Sequence, residues 1–487
     1  LRWPAGVGEL DVVLRKIYLG PNPMKPRAAL APHAARQLLA GKLDGSTVSC
    51  ALDAQTQRFA LERLKHTLTV LETQNVHEGA VVVGENRTGD ILAYVSYSEQ
   101  APYVDGVKAG RQAGSALKPF LYALAFDERL LTPASILADS PVDIAVSNGI
   151  YSPGNYDNQF RGPVSARVAL ASSLNVPAVR ALSLVGVESF LAKLRALGFG
   201  GLEESGDFYG PSLALGTADV SLLDLVSATM TLANGGVRRE LRLVRSVPDR
   251  RKTTRVFSPE AAFLVSDILS DREARSFTFG LENPLATRTW SAVKTGTSKD
   301  MRDNWCVGYS SRYTVGVWFG NFSGQPMWDV SGITGAAQVW AEIMNRLHLV
   351  EKSLMPEPPP GITRQAAEAT GPLRNEWFIR GTEPSGTFEL AGRAFQRIRY
   401  PAPGTIITLD PDIPETLQRV LLSAHERSKD HRWILNGKNL GSALAGVAWK
   451  PKRGRHLLAL VDREGRVLDS VSFEVRGPDY IPDRIKR

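Results

Sequence analysis

Three short stretches of this 487-residue chain carry residues suited to acyl transfer: Ser115-Ala116-Leu117-Lys118, Ser173-Leu174-Asn175 and Lys294-Thr295-Gly296-Thr297. A serine hydroxyl is a poor nucleophile until a base takes its proton. Lys118 qualifies as that base only if its amine is neutral, and burial or a neighbouring cation pushes a lysine in that direction. Lys294 is the candidate cation. Ser173 can relay protons between the lysines and a leaving amine. Asn175 can hold Lys118 and donate to a substrate amide. The Lys294 ammonium with the Thr295 and Thr297 hydroxyls suits a substrate ending in a carboxylate. Gly296 leaves room for another backbone to approach closely. Backbone N–H groups of Ser115 and Thr297 are the candidate oxyanion donors.

The spacing separates signal from coincidence. A serine three residues before a lysine occurs twice, at Ser115/Lys118 and Ser291/Lys294. Ser115 follows Ala113-Gly114 and opens an apolar run, with Pro119 in the first turn, that reads as a buried helix. On a helix, residues three apart share a face. Ser291 leads into an extended segment, where the same spacing points to opposite faces. Ser115 is therefore the candidate nucleophile and Ser291 a bystander. Lys-Thr-Gly-Thr is the sharpest piece, since four fixed letters arise by chance in roughly one chain of this length per hundred.

Around these motifs the chain resembles the transpeptidase part of a class A penicillin-binding protein, and the resemblance covers about residues 45 to 350. It rests on Gly114 to Tyr122, on Tyr151-Ser152-Pro153-Gly154-Asn155-Tyr156-Asp157, and on Ser173 to Arg180. It continues through Leu215-Gly216 to Gly236, Arg302-Asp303-Asn304-Trp305, and Gly316-Val317-Trp318-Phe319-Gly320. Val330 to Ala337, with Tyr400-Pro401, Trp433, Trp449 and Phe473-Glu474-Val475, resembles the 1C type, in which a small β domain follows. The resemblance implies a serine D,D-transpeptidase with Ser115, Lys118, Ser173, Asn175 and Lys294 catalytic and Thr295, Gly296 and Thr297 binding substrate. It would cross-link peptidoglycan stem peptides through a Ser115 acyl-enzyme and be trapped by β-lactams. No cofactor or metal is implied. Peptidoglycan glycan and a periplasmic macroglobulin-like protein are the implied partners, at the periplasmic face of the inner membrane.

Class A proteins carry a glycan-polymerising domain behind a membrane helix. No apolar stretch of 18 residues is present here, and the segment before Ser115 is too short for that domain. With Leu1 first, the chain reads as a fragment or processed form whose anchor belongs to the full-length protein. Water in place of an amine as acceptor would make it a D,D-carboxypeptidase or β-lactam hydrolase. A silent serine site would leave a cell-wall scaffold.

Length and a 43% hydrophobic content suit two or three domains. Proline-punctuated residues 1–45 read as a linker, with one short helical patch near His33 to Ala40. Residues 46–350 read as an α+β domain, an antiparallel sheet covered by helices on both faces. Within it Thr47 to Leu52 and the pair Gly79–Val83 and Ile91–Ser96 alternate like strands, Gln55 to Val70 is helical, helices dominate from Lys118 to Ala233, strands return from Ser291 to Phe319, and Ala336 to Leu347 closes it. Residues 351–389, opened by Pro356-Glu357-Pro358-Pro359-Pro360, read as a stiff linker. Residues 390–478 read as a small β-sandwich with Trp433 and Trp449 as core anchors, and 479–487 as a tail. Cys50 and Cys306 read as two buried free thiols. The net charge of +8 suits a solvated surface, and no basic run interleaved with aromatics suggests nucleic acid.

Overall fold

The computed structural model describes residues 30–40, 47–146, 149–245, 253–280, 282–367, 374–384, 398–401, 405–409, 418–424, 428–444 and 446–477. The expected tail at 479–487, most of the 1–45 segment and the linker-to-sandwich boundary at 389/390 lie outside them.

Helices α1 (Pro32–Leu39) and α2 (Ala54–Leu71) precede strands β1 (Glu78–Glu85) and β2 (Ile91–Tyr97). Next come α3 (Lys118–Asp127), α4 (Ala166–Ala171), α5 (Asn175–Val185), α6 (Val187–Leu197), α7 (Leu222–Ala233), α8 (Pro259–Ser270) and α9 (Arg272–Phe279). Strands β3 (Ala292–Thr297), β4 (Asp303–Tyr309) and β5 (Tyr313–Gly320) lead to α10 (Ala336–Leu347). The five strands form one antiparallel sheet in the order β3-β4-β5-β1-β2.

Side chains alternate across a strand, and here both faces are buried. Ala80, Val82, Trp305, Val307 and Trp318 face one core, shared with Phe120, Val179 and Phe263 of the central helices. Val81, Val83, Cys306, Val315 and Val317 face the other, closed by Leu64 and Leu68 of α2 and by Trp340 and Ile343 of α10. The domain is α+β as its sequence suggests. β3 occupies one edge of the sheet and keeps its outer side free of any strand.

Several elements depart from the sequence reading. Thr47 to Leu52 is not a strand. Asp53 turns the chain into α2 by accepting from Thr56 N at 2.8 Å, so the alternating run ends before it can pair. Residues 30–40 are docked rather than free as linker: Gln57 Nε2 donates to Leu30 O at 3.0 Å, and Ala34 joins the larger core. Between α3 and α4 the chain is not helical; Ile136–Asp139 pairs with Gly162–Ser165 in a two-stranded ribbon.

The Pro-rich linker is also more than a spacer. After its prolines it forms a hairpin, β6 (Ile362–Ala367) with β7 (Arg374–Ile379), seated on α8. Trp377 packs edge-on against Phe263 with ring centroids 5.5 Å apart. Beneath it, buried Arg167 of α4 donates to Glu376 of β7 through Nε at 2.6 Å and Nη2 at 2.5 Å, and pairs with Asp267 and Asp271. These contacts raise the Arg167 guanidinium above its usual range against the opposing effect of burial.

The last described residues form two sheets, three- and five-stranded, around one core of Leu422, Trp433, Leu458, Phe473 and Val475. Trp433 is fully buried there. Trp449 is only half-buried, edge-on to Phe473. Both cysteines are free, and Cys50 is half-buried rather than buried.

The Arg167 cluster sets a testable expectation. Glu376→Ala leaves a buried guanidinium short of its closest partner, and breaking buried pairs of this kind costs about 3 to 5 kcal/mol. The thermal midpoint should fall by several degrees, whereas an unchanged midpoint would mean that the hairpin contributes nothing to stability.

Candidate active site

The turn that carries Ser115 is held by glycine contacts. Ser115 lies in a single 3-10 turn, Gly114–Leu117, that runs directly into α3. Gly114 has φ +55°, and a Cβ there would sit 2.5 Å from Thr297 O. A Cβ on Gly296 would sit 2.7 Å from Ala113 O and 3.1 Å from Ala116 N. On the other side Gly216, at φ +73°, would bring a Cβ to 1.9 Å from Gly114 O. Gly114 N also donates to Gly216 O at 3.0 Å. The turn is thus wedged between the Gly216 bend and the edge strand β3, and only bare backbone fits at all three points.

Lys118 is completely buried. Its Nζ donates to Asn175 Oδ1 at 2.7 Å, Ser173 O at 2.7 Å and Leu174 O at 3.1 Å. Those acceptors converge because Ser173, between α4 and α5, takes a left-handed backbone with φ +60°, a conformation that is costly for a non-glycine residue. Lys294 Nζ donates to Ser173 Oγ at 2.8 Å and to Thr295 O at 2.7 Å. Ser173 therefore joins the two lysines, by its carbonyl to one and its hydroxyl to the other. Burial first, and then the charge of Lys294, pushes the Lys118 amine well down from the ordinary lysine value. Burial pushes Lys294 down to about 7; Arg275 adds to this and Cys306 opposes it.

The edge strand presents its backbone to the same cleft. Ser298 N donates to Asp303 O at 2.9 Å, on the β4 side. Backbone N–H direction alternates along a strand, so Thr297 N–H points from the free edge, beside the nucleophile turn. Thr297 Oγ1 accepts from Gly332 N at 3.1 Å, while Thr295 lies against Gly332. Strand alternation sets both threonines opposite Lys294, whose ammonium reaches Ser173 rather than their hydroxyls. Ser291 is remote from this chemistry: it is buried, with its hydroxyl 2.7 Å from Thr287 Oγ1.

Two neighbours of Asn175 were given no role by the sequence reading, Asn155 having entered it only as part of a resembling segment. Asn155 Oδ1 accepts from Asn175 N at 2.9 Å. Its Nδ2 donates to both carboxylate oxygens of Asp139 at 2.8 Å each. Asp139 is fully enclosed; burial pushes its carboxyl up, and the Asn155 and Arg161 hydrogen bonds pull it back. Its charge supports the ammonium form of Lys118. Gly154 O takes one proton of the Asn175 amide at 2.9 Å, leaving one N–H for a ligand. Among the described residues no cluster of His, Cys, Asp and Glu could hold a metal.

Known proteins match this chain in family and in fold. The family model of the penicillin binding protein transpeptidase domain matches residues 79–345, more than half of the chain. The chain belongs to the penicillin-binding protein transpeptidase family. A second model, the penicillin-binding protein C-terminus family, matches residues 389–473. The chain is 32% identical over 402 residues to penicillin-binding protein 1C of Escherichia coli (strain K12), covering 79% of this chain and 50% of that protein. It is 29% identical over 375 residues to penicillin-binding protein 1B of Haemophilus influenzae, covering 72% and 46%. The chain thus spans about half the length of these curated relatives. The structure of PonA1 from Mycobacterium tuberculosis in complex with penicillin V superposes with a TM-score of 0.57 at 20% identity, covering 74% of this chain and 97% of that one. Penicillin-binding protein 1A from Haemophilus influenzae gives 0.55 at 23%, covering 64% and 55%. At such identities the likeness is one of fold.

The glycine wedge can be tested without a substrate. Gly216→Ala forces a Cβ onto Gly114 O in a backbone region that alanine avoids, and should cost about 2 kcal/mol or more. A variant melting with its parent would mean that the turn can move aside.

Proposed function

We propose that this chain is a serine D,D-transpeptidase that acylates Ser115 with a peptidoglycan stem peptide and is trapped by β-lactams in the same way. The observation that carries the reading is Ser173, tied to Lys118 through its carbonyl and to Lys294 through its hydroxyl, at the foot of the Ser115 turn. The family membership and the penicillin-bound relative of similar fold agree with it.

Ser115 Oγ makes no hydrogen bond with any described residue, so its side chain must turn towards Lys118 Nζ as substrate binds. Neutral Lys118 takes the hydroxyl proton as Oγ bonds to the penultimate D-alanyl carbonyl. The three acceptors around Nζ already suit the ammonium that results, and such preorganised polar groups lower a barrier without rearranging. The developing oxyanion is met by the Ser115 and Thr297 N–H groups. As the C–N bond breaks, the Ser173 hydroxyl gives its proton to the departing D-alanine amine and takes one from the Lys294 ammonium that it faces. An amine of a neighbouring stem then attacks the ester and releases Ser115. Asn175 orients Lys118 and offers its remaining N–H to the donor peptide, and Thr295, Gly296 and Thr297 line the strand edge along which that peptide runs. Asn155 and Asp139 act as positioning residues behind Asn175. Since the substrate is peptidoglycan, the site works outside the cytoplasm, at the periplasmic face of the inner membrane; among the described residues no helix is long and apolar enough to cross a membrane.

Mass spectrometry after exposure to a labelled penicillin should find one adduct, on Ser115. Ser115→Ala should abolish it, Ser291→Ala should leave it intact, and Lys118→Ala should slow acylation by about 10² or more. An adduct on another residue, or one that survives Ser115→Ala, would overturn the assignment.

The depressed lysines also fix a direction with pH. Lys118 acts here as the neutral base and Lys294 as the cation. With Lys294 at about 7, its ammonium fraction falls from roughly nine tenths at pH 6 to a tenth at pH 8. Penicillin acylation rates should fall over that interval as the cation is lost. A rate flat from pH 6 to 8, or one that climbs across it, would contradict Lys294 as the working cation.

A further inference from the structure

We propose that the cavity between α9 and the segment leading into β3 is a binding site for an oxyanion, a phosphate or carboxylate group carried on a larger molecule. Its volume is about 340 Å³, and Arg272, Arg275, Arg288, Thr287, Trp290 and Ser291 are among its lining residues. The site stands whether or not Ser115 is a nucleophile.

Arg275 carries the argument. Its side chain is 4% exposed, yet it makes no hydrogen bond or ion pair with any described residue, and Nη1 is enclosed without a partner. An uncompensated buried charge is strongly destabilising, which is why buried guanidinium groups are ordinarily paired. Arg167 shows the ordinary solution, with three carboxylates about it. Burial brings Arg275 down to about 10, which still leaves it charged at neutral pH.

The other lining groups add donors and no negative charge. Trp290 Nε1 is likewise enclosed without a partner. Arg272 and Arg288 stand exposed at the rim; Arg272 Nη2 donates to Thr287 O at 2.5 Å. The Thr287 and Ser291 hydroxyls satisfy each other at 2.7 Å. Among the described residues no carboxylate lines the cavity. The nearest acid of α9's start, Asp271, is already held by Arg167 at 3.0 Å, by Arg374 at 2.5 Å and by Ala274 N at 3.0 Å. Guanidinium forks match the geometry of carboxylate and phosphate oxygens. The volume exceeds that of a bare ion, so part of the molecule bearing the anion would enter with it.

The test is the thermal midpoint of the full chain in dilute buffer, titrated with inorganic phosphate or acetate against chloride at matched ionic strength. Phosphate, acetate or both should raise the wild-type midpoint beyond chloride, and which of them does so assigns the group. Arg275→Met, which removes the stranded charge, should melt no lower than wild type without the anion and should lose the response. Arg288→Ala, altered only at the rim, should fold normally and need at least about fivefold more anion for the same shift. A wild type indifferent to both anions, or an Arg275→Met variant that still responds, would overturn the proposal.

Discussion

Two lysine amines withdrawn from water, on either side of one serine, are the constraint around which this domain is built. Desolvation of a charged amine is expensive unless acceptors surround it. Lys118 finds three oxygens, all from the Ser173 to Asn175 turn. Lys294 finds two, one of them the hydroxyl of that turn. A strained Ser173 backbone at φ +60° is the local cost, offset because its carbonyl and hydroxyl then serve different lysines. The same burial that makes the cations costly makes their neutral forms accessible. Stability and reactivity are opposed at these positions.

That turn is itself held from behind. The ribbon of Ile136–Asp139 with Gly162–Ser165 brings Asp139 beneath the site, and Asn155 joins it to the first N–H of α5. A negative charge thus lies one amide away from Asn175, in range of Lys118. The second set of supports is steric. Gly114, Gly216 and Gly296 allow three backbones to meet where any Cβ would intrude, so the Ser115 turn is referenced directly to the edge strand β3.

What could be read from residues alone follows in part from periodicity. Helical spacing paired Ser115 with Lys118, while Ser173, Asn175 and Lys294 were joined to them by the order of the three motifs and by their resemblance to the penicillin-binding transpeptidases. Alternation also warned against Ser291. The same rule, applied only to Thr295 and Thr297, missed that Lys294 leaves on the opposite face. Asp139 and Asn155 lie on short, irregular strands and turns that have no period to read. The β6–β7 hairpin was invisible for another reason: a proline run announces an extended chain, but Glu376 finds its partner 209 residues away in Arg167, and no local pattern encodes such a pair.

Arg167 of α4 and Arg275 of α9 lie on two short helices and meet opposite fates, which shows how far charge balance governs this side of the domain. Asp271 caps α9 through Ala274 N while pairing with Arg167 and Arg374, so its capacity is spent on the side that docks the hairpin. Arg275, one turn further along α9, feels the charge of Asp271 without hydrogen-bonding to it and is left to the cavity. Its positive field falls on Lys294, which it helps to keep low in pKa. The hairpin's anchoring and the tuning of the strand-edge lysine therefore draw on a single carboxylate: were Asp271 free to turn towards Arg275, the hairpin would lose a partner and Lys294 would lose part of the field that favours its neutral form.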